Sequence, residues 1–311
     1  MPLGNVILDL EQLRAFVEVA QQRSFSRAAA QLHLTQPAIS KRIAALERHL
    51  DTALFDRIGR AVVLTQTGAH LLASALEVLQ RLKDAETAVR NTNGQVDGTL
   101  VIATSHHIGL HRLPEVLRSF SVAYPSVQLN IRFEDSEVAH DLVRNGACEL
   151  AVVTLDPSRA TQLASVPLWQ DRLRFVACRE HVLNAAPIRL ADLCVHAAIL
   201  PGSATYTGRI ISTLFTDAGL KLRVTMSTNY LETIRMLVSI GLGWSALPET
   251  MLDESLDVLK LIDAPQLQRD LGCVLHPERT LSNAAQAFLA AIQTYAEPML
   301  SPGSGLSPAS G

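Results

Sequence analysis

At 311 residues the chain has room for two or three domains, each able to bury its own core. Charged residues make up 18% and apolar residues 48%, a globular balance that excludes a disordered chain. The net charge of −3 does not by itself announce a nucleic-acid partner, and no run approaches the roughly 18 apolar residues of a membrane helix.

Residues 10–50 hold three short helical patterns. Leu13, Phe16, Val17 and Ala20 recur at spacings of three and four. An alanine run follows, entered through Ser26 as its N-cap. A third helix starts at Thr35, again a capping residue, with Pro37 in the first turn, where its missing N–H does no damage. At 100° per residue, Ile39, Ile43, Leu46 and Leu50 share one side of this helix, and Pro37, Ser40, Lys41, Ala44 and Arg48 share the other. That outer face is small near its start, polar and basic, as a helix must be if its backbone is to approach base edges in a major groove. A plain three-helix bundle with a solvated face has the same period.

Leu54-Phe55-Asp56-Arg57, a turn at Ile58-Gly59-Arg60, and Ala61-Val62-Val63-Leu64-Thr65 predict a β-hairpin whose Arg57 and Arg60 reach phosphates or a minor groove. Between Ser24 and Gln66 the six basic residues Arg27, Lys41, Arg42, Arg48, Arg57 and Arg60 face three acids, Glu47, Asp51 and Asp56, a small basic segment in an acidic chain. Thr67 is the expected cap of a long helix reaching about Asn93, with Leu72, Ala75, Leu79, Leu82, Glu86 and Val89 in heptad spacing. Asn91-Thr92-Asn93-Gly94-Gln95 marks a boundary. The expected organisation is therefore residues 1–66, a linker helix over 67–94, and a third region over 95–296.

From Thr99 strands alternate with helices: strand Leu100–Ala103, helix Leu113–Ala123, strand Val127–Phe133, helix Val138–Asn145 and strand Leu150–Val153. A second set follows, with strands Arg174–Ala177, Ala197–Leu200 and Val224–Ser227 and helices Gly208–Ala218 and Tyr230–Ile240. Leu271–Leu275 and a helix over Asn283–Tyr295 return to the first set. Two α/β lobes, 98–168 with 272–296 and 169–271, joined by two crossings, describe a periplasmic-binding-protein architecture. Residues 297–311, rich in Ser, Pro and Gly, read as a flexible tail.

Ligands of open α/β sheets bind beyond the carboxyl ends of strands. That rule singles out Thr104, Ser105 and His107 in the first lobe and Ser203 and Thr205 in the second, with Ser136 and Thr228 as weaker candidates. Thr104 and Ser105 would serve equally as simple helix caps. A cleft lined by hydroxyls, with Asp135 its one acid, favours a small anion such as a carboxylate. His106, His107 and His111 invite a metal reading, but no carboxylate or cysteine stands at ligand spacing, so no metal and no cofactor are expected. Cys148, Cys178, Cys194 and Cys273 have no metal-ligand spacing, lie in apolar contexts and read as reduced core residues. Trp244 reads as packing. No nucleophile elbow, phosphate loop or dinucleotide fingerprint occurs, so no enzyme is expected. Asp9 and Glu11 interrupt the N-terminal apolar run, which excludes a signal peptide and implies a cytoplasmic chain.

Residues 10–66 resemble the N-terminal domain of the LysR-type transcriptional regulators through Phe16…Ser24-Phe25…Ala28-Ala29…Leu32…Thr35-Gln36-Pro37-Ala38-Ile39-Ser40…Ile43…Leu46-Glu47…Leu54-Phe55…Arg57…Leu64-Thr65…Gly68, and the likeness continues more weakly to about residue 296. The resemblance implies a winged helix-turn-helix, a linker helix and a two-lobed α/β effector domain. It implies double-stranded promoter DNA as a partner, bound through Ser26, Gln36, Pro37, Ser40, Lys41, Arg42, Arg57 and Arg60. It further implies a dimer through the linker helix, a homotetramer, a small-molecule co-inducer in a cleft opening at Thr104, and RNA polymerase as a further candidate partner. The close cysteine pair of the family's peroxide sensors is missing here. A solute-binding transport protein on the same fold gives residues 10–93 no role, and an enzyme with a DNA-binding appendage lacks a catalytic constellation.

Overall fold

The first helix, α1 (Leu10–Gln22), starts where the Asp9 carboxylate accepts a hydrogen bond from the Glu11 amide at 2.9 Å. The computed structural model describes residues 8–58, 61–158, 162–263 and 265–296. The chain forms two compact units, Met1–Thr92 and Asn93–Gly311.

In the first unit, α2 (Phe25–Gln31) and α3 (Gln36–Leu50) follow α1. Arg23 ends α1 and Asp51 ends α3, both in the left-handed conformation, with φ of 49° and 50°. Thr35 caps α3 as expected, its hydroxyl accepting from the Ala38 amide at 3.4 Å. The cap of α2 is Ser24 rather than Ser26: the Ser24 hydroxyl accepts from the Arg27 amide, and Ser26 sits exposed in the first turn. Two serines flank Phe25, and the one that leaves Phe25 packed toward Phe55, with ring centroids 5.8 Å apart, becomes the cap. Leu13, Phe16, Ala28, Ile39, Ile43, Leu46 and Leu54 form the core. Leu50, expected with them, is only half-buried.

Strands β1 (Phe55–Ile58) and β2 (Ala61–Leu64) pair antiparallel with Phe55 opposite Leu64, the expected hairpin. Glu47 ties α3 to it, one carboxylate oxygen accepting from the Leu54 and Phe55 amides at 2.8 and 3.3 Å. Helix α4 (Gln66–Asn91) is capped by Thr65, not Thr67. The Thr65 hydroxyl accepts from the Gly68 amide and donates to the Ala53 carbonyl, at 2.9 and 2.8 Å, so the cap also anchors the chain before β1. A Cβ on Gly68 would lie 2.1 Å from the Leu54 carbonyl oxygen, which is why this turn of the helix carries none. Leu72 and Leu79 pack partly on the unit's own core around buried Ala75, whereas Val89 is 70% exposed.

The second unit runs β3 (Gly98–Thr104), α5 (His106–His111), α6 (Pro114–Ala123), β4 (Val127–Phe133), α7 (Ser136–Arg144), β5 (Leu150–Thr154), β6 (Ala164–Cys178), α8 (Leu190–Leu193), β7 (Ala198–Leu200), α9 (Tyr206–Asp217), β8 (Val224–Ser227), α10 (Leu231–Ser239), β9 (Ser245–Pro248), β10 (Leu256–Val258), β11 (Leu267–Leu275) and α11 (Asn283–Ala296). One mixed sheet has the order β10-β6-β11-β5-β3-β4, with β9 also on β6; β7 and β8 form a separate parallel pair. The expected strand at Arg174–Ala177 is the end of a 15-residue strand, β6. It lies antiparallel to β11 from Leu173 opposite Leu267 to Ala164 opposite Leu275, with a bulge at Leu271 and Gly272. These two strands are the expected crossings. Toward one end they carry a core of Leu100, Ile102, Phe120, Leu150, Trp169 and Phe288. Toward the other they carry Phe175, Leu193, Ile211, Phe215 and Trp244. Trp244 is fully buried, its Nε1–H donating to the Leu193 carbonyl at 2.9 Å, the packing role expected of it. All four cysteines are free thiols, three of them buried, and burial pushes Cys273 up to about 12. Among the described residues no helix is long and apolar enough to cross a membrane.

Candidate functional site

In the first unit the face of α3 opposite Ile39, Ile43 and Leu46 is open. Gln36, Pro37, Lys41, Ala44 and Arg48 are exposed and Ser40 is half-buried. Pro37 at the start and Ala44 one turn after Ser40 leave the backbone accessible, with Lys41 supplying charge between them. Arg42 is turned inward instead: its guanidinium pairs with Glu11 at 3.0 Å. Arg48 Nε donates to the Ala44 carbonyl at 3.2 Å. The Arg57 backbone stands in β1 opposite Val62. The Arg57 side chain and the whole of Arg60 lie outside the described residues, as does the tail.

In the second unit a cavity of about 330 Å³ lies where the strand ends converge. Ser105, His106 and His107 line it after β3; Phe133, Glu134, Asp135, Ser136 and Glu137 after β4; and Thr154 at the end of β5. Pro201, Thr205, Tyr206 and Thr207 face them from the start of α9, with Asn229, Tyr230 and Leu231 at the start of α10 and Arg269 from β11. The loop before α9 folds tightly onto that helix because residue 208 is glycine; a Cβ there would lie 2.1 Å from the Gly202 carbonyl oxygen.

Arg269 is the floor of the cavity and is 5% exposed. It donates from Nη1 to the Thr207 hydroxyl and from Nη2 to Asp171, each at 2.9 Å, and its Nε makes no hydrogen bond. Arg112 donates to the other Asp171 oxygen at 2.7 Å. Burial would raise the Asp171 carboxyl, but His107 and the two guanidiniums outweigh it and hold the group well below the usual carboxylate range. At the rim the acids are already engaged: Asn229 donates to Asp135 at 2.6 Å, and the Tyr206 amide donates to Glu137. Burial first, then Asp156 and Glu137, push the Tyr206 phenol up to about 12.

Of the residues expected from sequence, Ser105, His107, Ser136 and Thr205 do line the cavity. Ser105 makes no capping hydrogen bond. Ser136 accepts from the Thr154 amide at 3.2 Å, and Thr205 is the cap of α9, accepting from the Gly208 amide at 3.0 Å. Thr104 does not line the cavity; it is fully buried beneath it and donates to the Val152 carbonyl at 2.8 Å. Ser203 is exposed outside the cavity, because Pro201 and Thr205 bracket the turn that carries it away. Thr228 is also outside, its hydroxyl accepting from the Tyr230 amide at 3.4 Å. The expectation of a single acid fails too, since Glu134 and Glu137 join Asp135. Arg269, Asp171, Thr207 and Asn229 went unnamed in the sequence. Their signal is there in two strands: Asp171 falls in step with Trp169 and Leu173, and Arg269 with Leu267 and Leu271, so each charge occupies an inward position of an apolar alternation.

The histidines also meet a carboxylate that spacing along the chain could not show. Glu232, at the start of α10, approaches His111 Nε2 at 3.1 Å and His107 Nδ1 at 3.5 Å. Burial acts to raise Glu232, yet the histidine contacts and a backbone hydrogen bond hold it down at about 2.

Two family models match. One described as the LysR substrate binding domain covers residues 93–297, and one described as the bacterial regulatory helix-turn-helix protein, lysR family, covers residues 10–69. An HTH-type transcriptional regulator in the ibpB-leuC intergenic region of Azotobacter vinelandii is 58% identical over 107 residues, which is 34% of this chain and 74% of that protein. The HTH-type transcriptional regulator CbbR of Rhodospirillum rubrum is 29% identical over 298 residues, covering 92% of this chain and 96% of its own. Among solved structures, a full-length OxyR variant from Pseudomonas aeruginosa matches with a TM-score of 0.69 at 23% identity, over 96% of this chain and 100% of that one, which speaks for the fold.

Proposed function

Because the chain belongs to the LysR family of transcriptional regulators, we propose that α3 reads promoter DNA while the cavity on Arg269 senses a small hydroxylated carboxylic acid. Gln36, Pro37, Ser40 and Lys41 enter the major groove, Ser26, Arg57 and Arg60 hold the backbone, and Arg42 acts by fixing α3 against α1. Two chains pair through the stretch of α4 that the unit's own core leaves free, Leu82 and Val89, and pairs associate into a tetramer. The protein works in the cytoplasm, carries no catalytic activity, answers to a small-molecule co-inducer, and takes RNA polymerase as a further partner.

The observation that carries the effector reading is Arg269 Nε, a buried cationic donor in the cavity floor that makes no hydrogen bond. A carboxylate seated there completes the guanidinium and takes the Ser105 hydroxyl as a second donor. The acids Glu134 and Asp135 at the rim repel a second anionic group but accept from hydroxyls. Half-exposed Phe133 and Tyr230 flank the opening with ring faces for a compact carbon skeleton. Binding across the cavity favours one separation of the two halves, and that preference is what the DNA-binding units read.

A thermal-shift screen of small carboxylic acids, hydroxylated and not, tests this on the full chain. Hydroxylated monocarboxylates are expected to stabilise it, and the shift is expected to shrink in Thr207→Val and Ser105→Ala. A response confined to cations or lipophiles, or one unchanged in both variants, would discard the cavity as the effector site. For the pairing, sedimentation of Leu82→Glu is expected to give monomers.

A further inference from the structure

We propose that His107, His111 and Glu232 form a binding site for one divalent transition-metal ion of the Zn²⁺ class, beside the effector cavity and independent of what that cavity binds. His107 and His111 stand one turn apart on α5, with ring centroids 4.8 Å apart, and Glu232 reaches them from the first turn of α10. One ligand atom from each of the three lies within 4.8 Å of the others. A tetrahedral ion with bonds of about 2.0–2.2 Å sets its ligand atoms roughly 3.3–3.6 Å apart. The observed separations from Glu232 Oε1, 3.1 Å to His111 Nε2 and 3.5 Å to His107 Nδ1, already fall around that spacing.

The second observation is His107 itself. It is 4% exposed, and neither ring nitrogen makes a hydrogen bond. Nδ1 faces Glu232, while Nε2 faces Asp171 Oδ2 at 3.5 Å. That is the arrangement in which one imidazole nitrogen binds an ion and the other donates to an outer carboxylate, which fixes the tautomer. Asp171 suits the outer position because Arg112 and Arg269, at 2.7 and 2.9 Å, fix its carboxylate facing that nitrogen. Two imidazoles and one carboxylate suit Zn²⁺, Co²⁺ or Ni²⁺ and are poor ligands for Ca²⁺ or Mg²⁺. Partly exposed His111 leaves room for water in a fourth position. The donors also come from opposite cores: Ile108 of α5 packs in the one that holds Phe120, and Ile234 of α10 in the one that holds Val176 and Leu247. An ion here ties the two sides of the unit together.

The test uses the full-length chain, stripped with a chelator and titrated with Co²⁺ followed through its ligand-field absorption, then with Zn²⁺ as competitor. One equivalent of Co²⁺ is expected to bind with a tetrahedral spectrum and to be displaced by Zn²⁺. His111→Asn and Glu232→Gln are each expected to lower affinity by more than the roughly 10–100-fold typical of losing an outer-shell partner. His181→Asn, in the other close histidine pair, His181 and His196 at 5.4 Å, is expected to bind as the parent does. His111 is the most exposed of the three ligands, so His111→Asn carries the test if Glu232→Gln fails to fold. Absence of stoichiometric binding, binding unchanged in His111→Asn, or loss only in His181→Asn would each overturn the proposal.

Discussion

The open face of α3 and the cavity on Arg269 are built in opposite ways. The face of α3 is local: Gln36, Pro37, Ser40 and Lys41 stand within two turns, placed by the helix period and by a core of Ile39, Ile43 and Leu46 on the other side. The cavity is assembled from afar, with Ser105, Thr207 and Arg269 meeting on three separate elements and Asp171 joining them from a fourth. A local site tolerates single changes because its scaffold does not depend on them. An assembled site with a buried charge network does not, because its specificity and its packing share the same atoms.

The largest expected effect tests that contrast at its centre. Asp171→Ala removes the carboxylate that pairs with buried Arg269, and should cost about 3–5 kcal/mol in chemical denaturation of the second unit. The first unit should keep its helicity. If the loss were under about 1 kcal/mol, the network would not be holding the floor.

Ser105→Ala removes a hydroxyl that no cap uses, so stability should stay put while the ligand response weakens by about 1.5–3 kcal/mol, read by calorimetric titration. On the other side of the comparison, Ser40→Ala or Lys41→Ala should weaken operator binding by about 1–3 kcal/mol per lost base contact with an unchanged melting curve. An unchanged affinity and salt slope in the double variant would move the reading face elsewhere. Thr35→Ala should cost about 1 kcal/mol of stability in the first unit alone, through loss of the α3 cap.

The smallest effect is one of pH. Burial lowers the pKa of His140, whose Nδ1 meets the Ser136 carbonyl at 2.7 Å under the cavity. The unfolded chain then binds a proton below about pH 6.5 that the folded one refuses, so stability falls as pH drops through that value. His140→Gln should flatten this slope in urea midpoints taken at pH 7.5 and 5.5. An equal slope in both proteins would assign it to other groups.

The same division explains what the sequence made legible. Helix period, Pro37 and the Thr35 cap are short-range facts, so α1 to α3 and the hairpin could be read directly. Even there, the choice between Ser24 and Ser26, or Thr65 and Thr67, depended on partners such as the Ala53 carbonyl that lie outside the local run. In the second unit the strand ends were readable and gave Ser105, Ser136 and Thr205. Glu232 was not, because only the packing of α10 brings it in, and the inward charge of Arg269, though visible in its strand's alternation, is tied to the cavity only by the pairing of β6 with β11. Ser203 failed for the converse reason: a hydroxyl next to the right strand still has to survive the turn that follows it.

Strands β6 and β11 lie side by side where they pass from one core to the other, with Trp169 opposite Leu271 and then Pro167 opposite Gly272 across the bulge. A lone tether would let the two halves swivel about its single bonds. A hydrogen-bonded ribbon resists torsion and leaves flexing across its plane as the soft coordinate, concentrated where the ladder is interrupted. Gly272 sits at that interruption, and a Cβ there would lie 2.3 Å from the Val166 carbonyl oxygen. The bulge at Gly272 is therefore where the paired ribbon joining the two cores of the second unit is already bent and its ladder interrupted, so a change in the angle between those cores would be taken up there first.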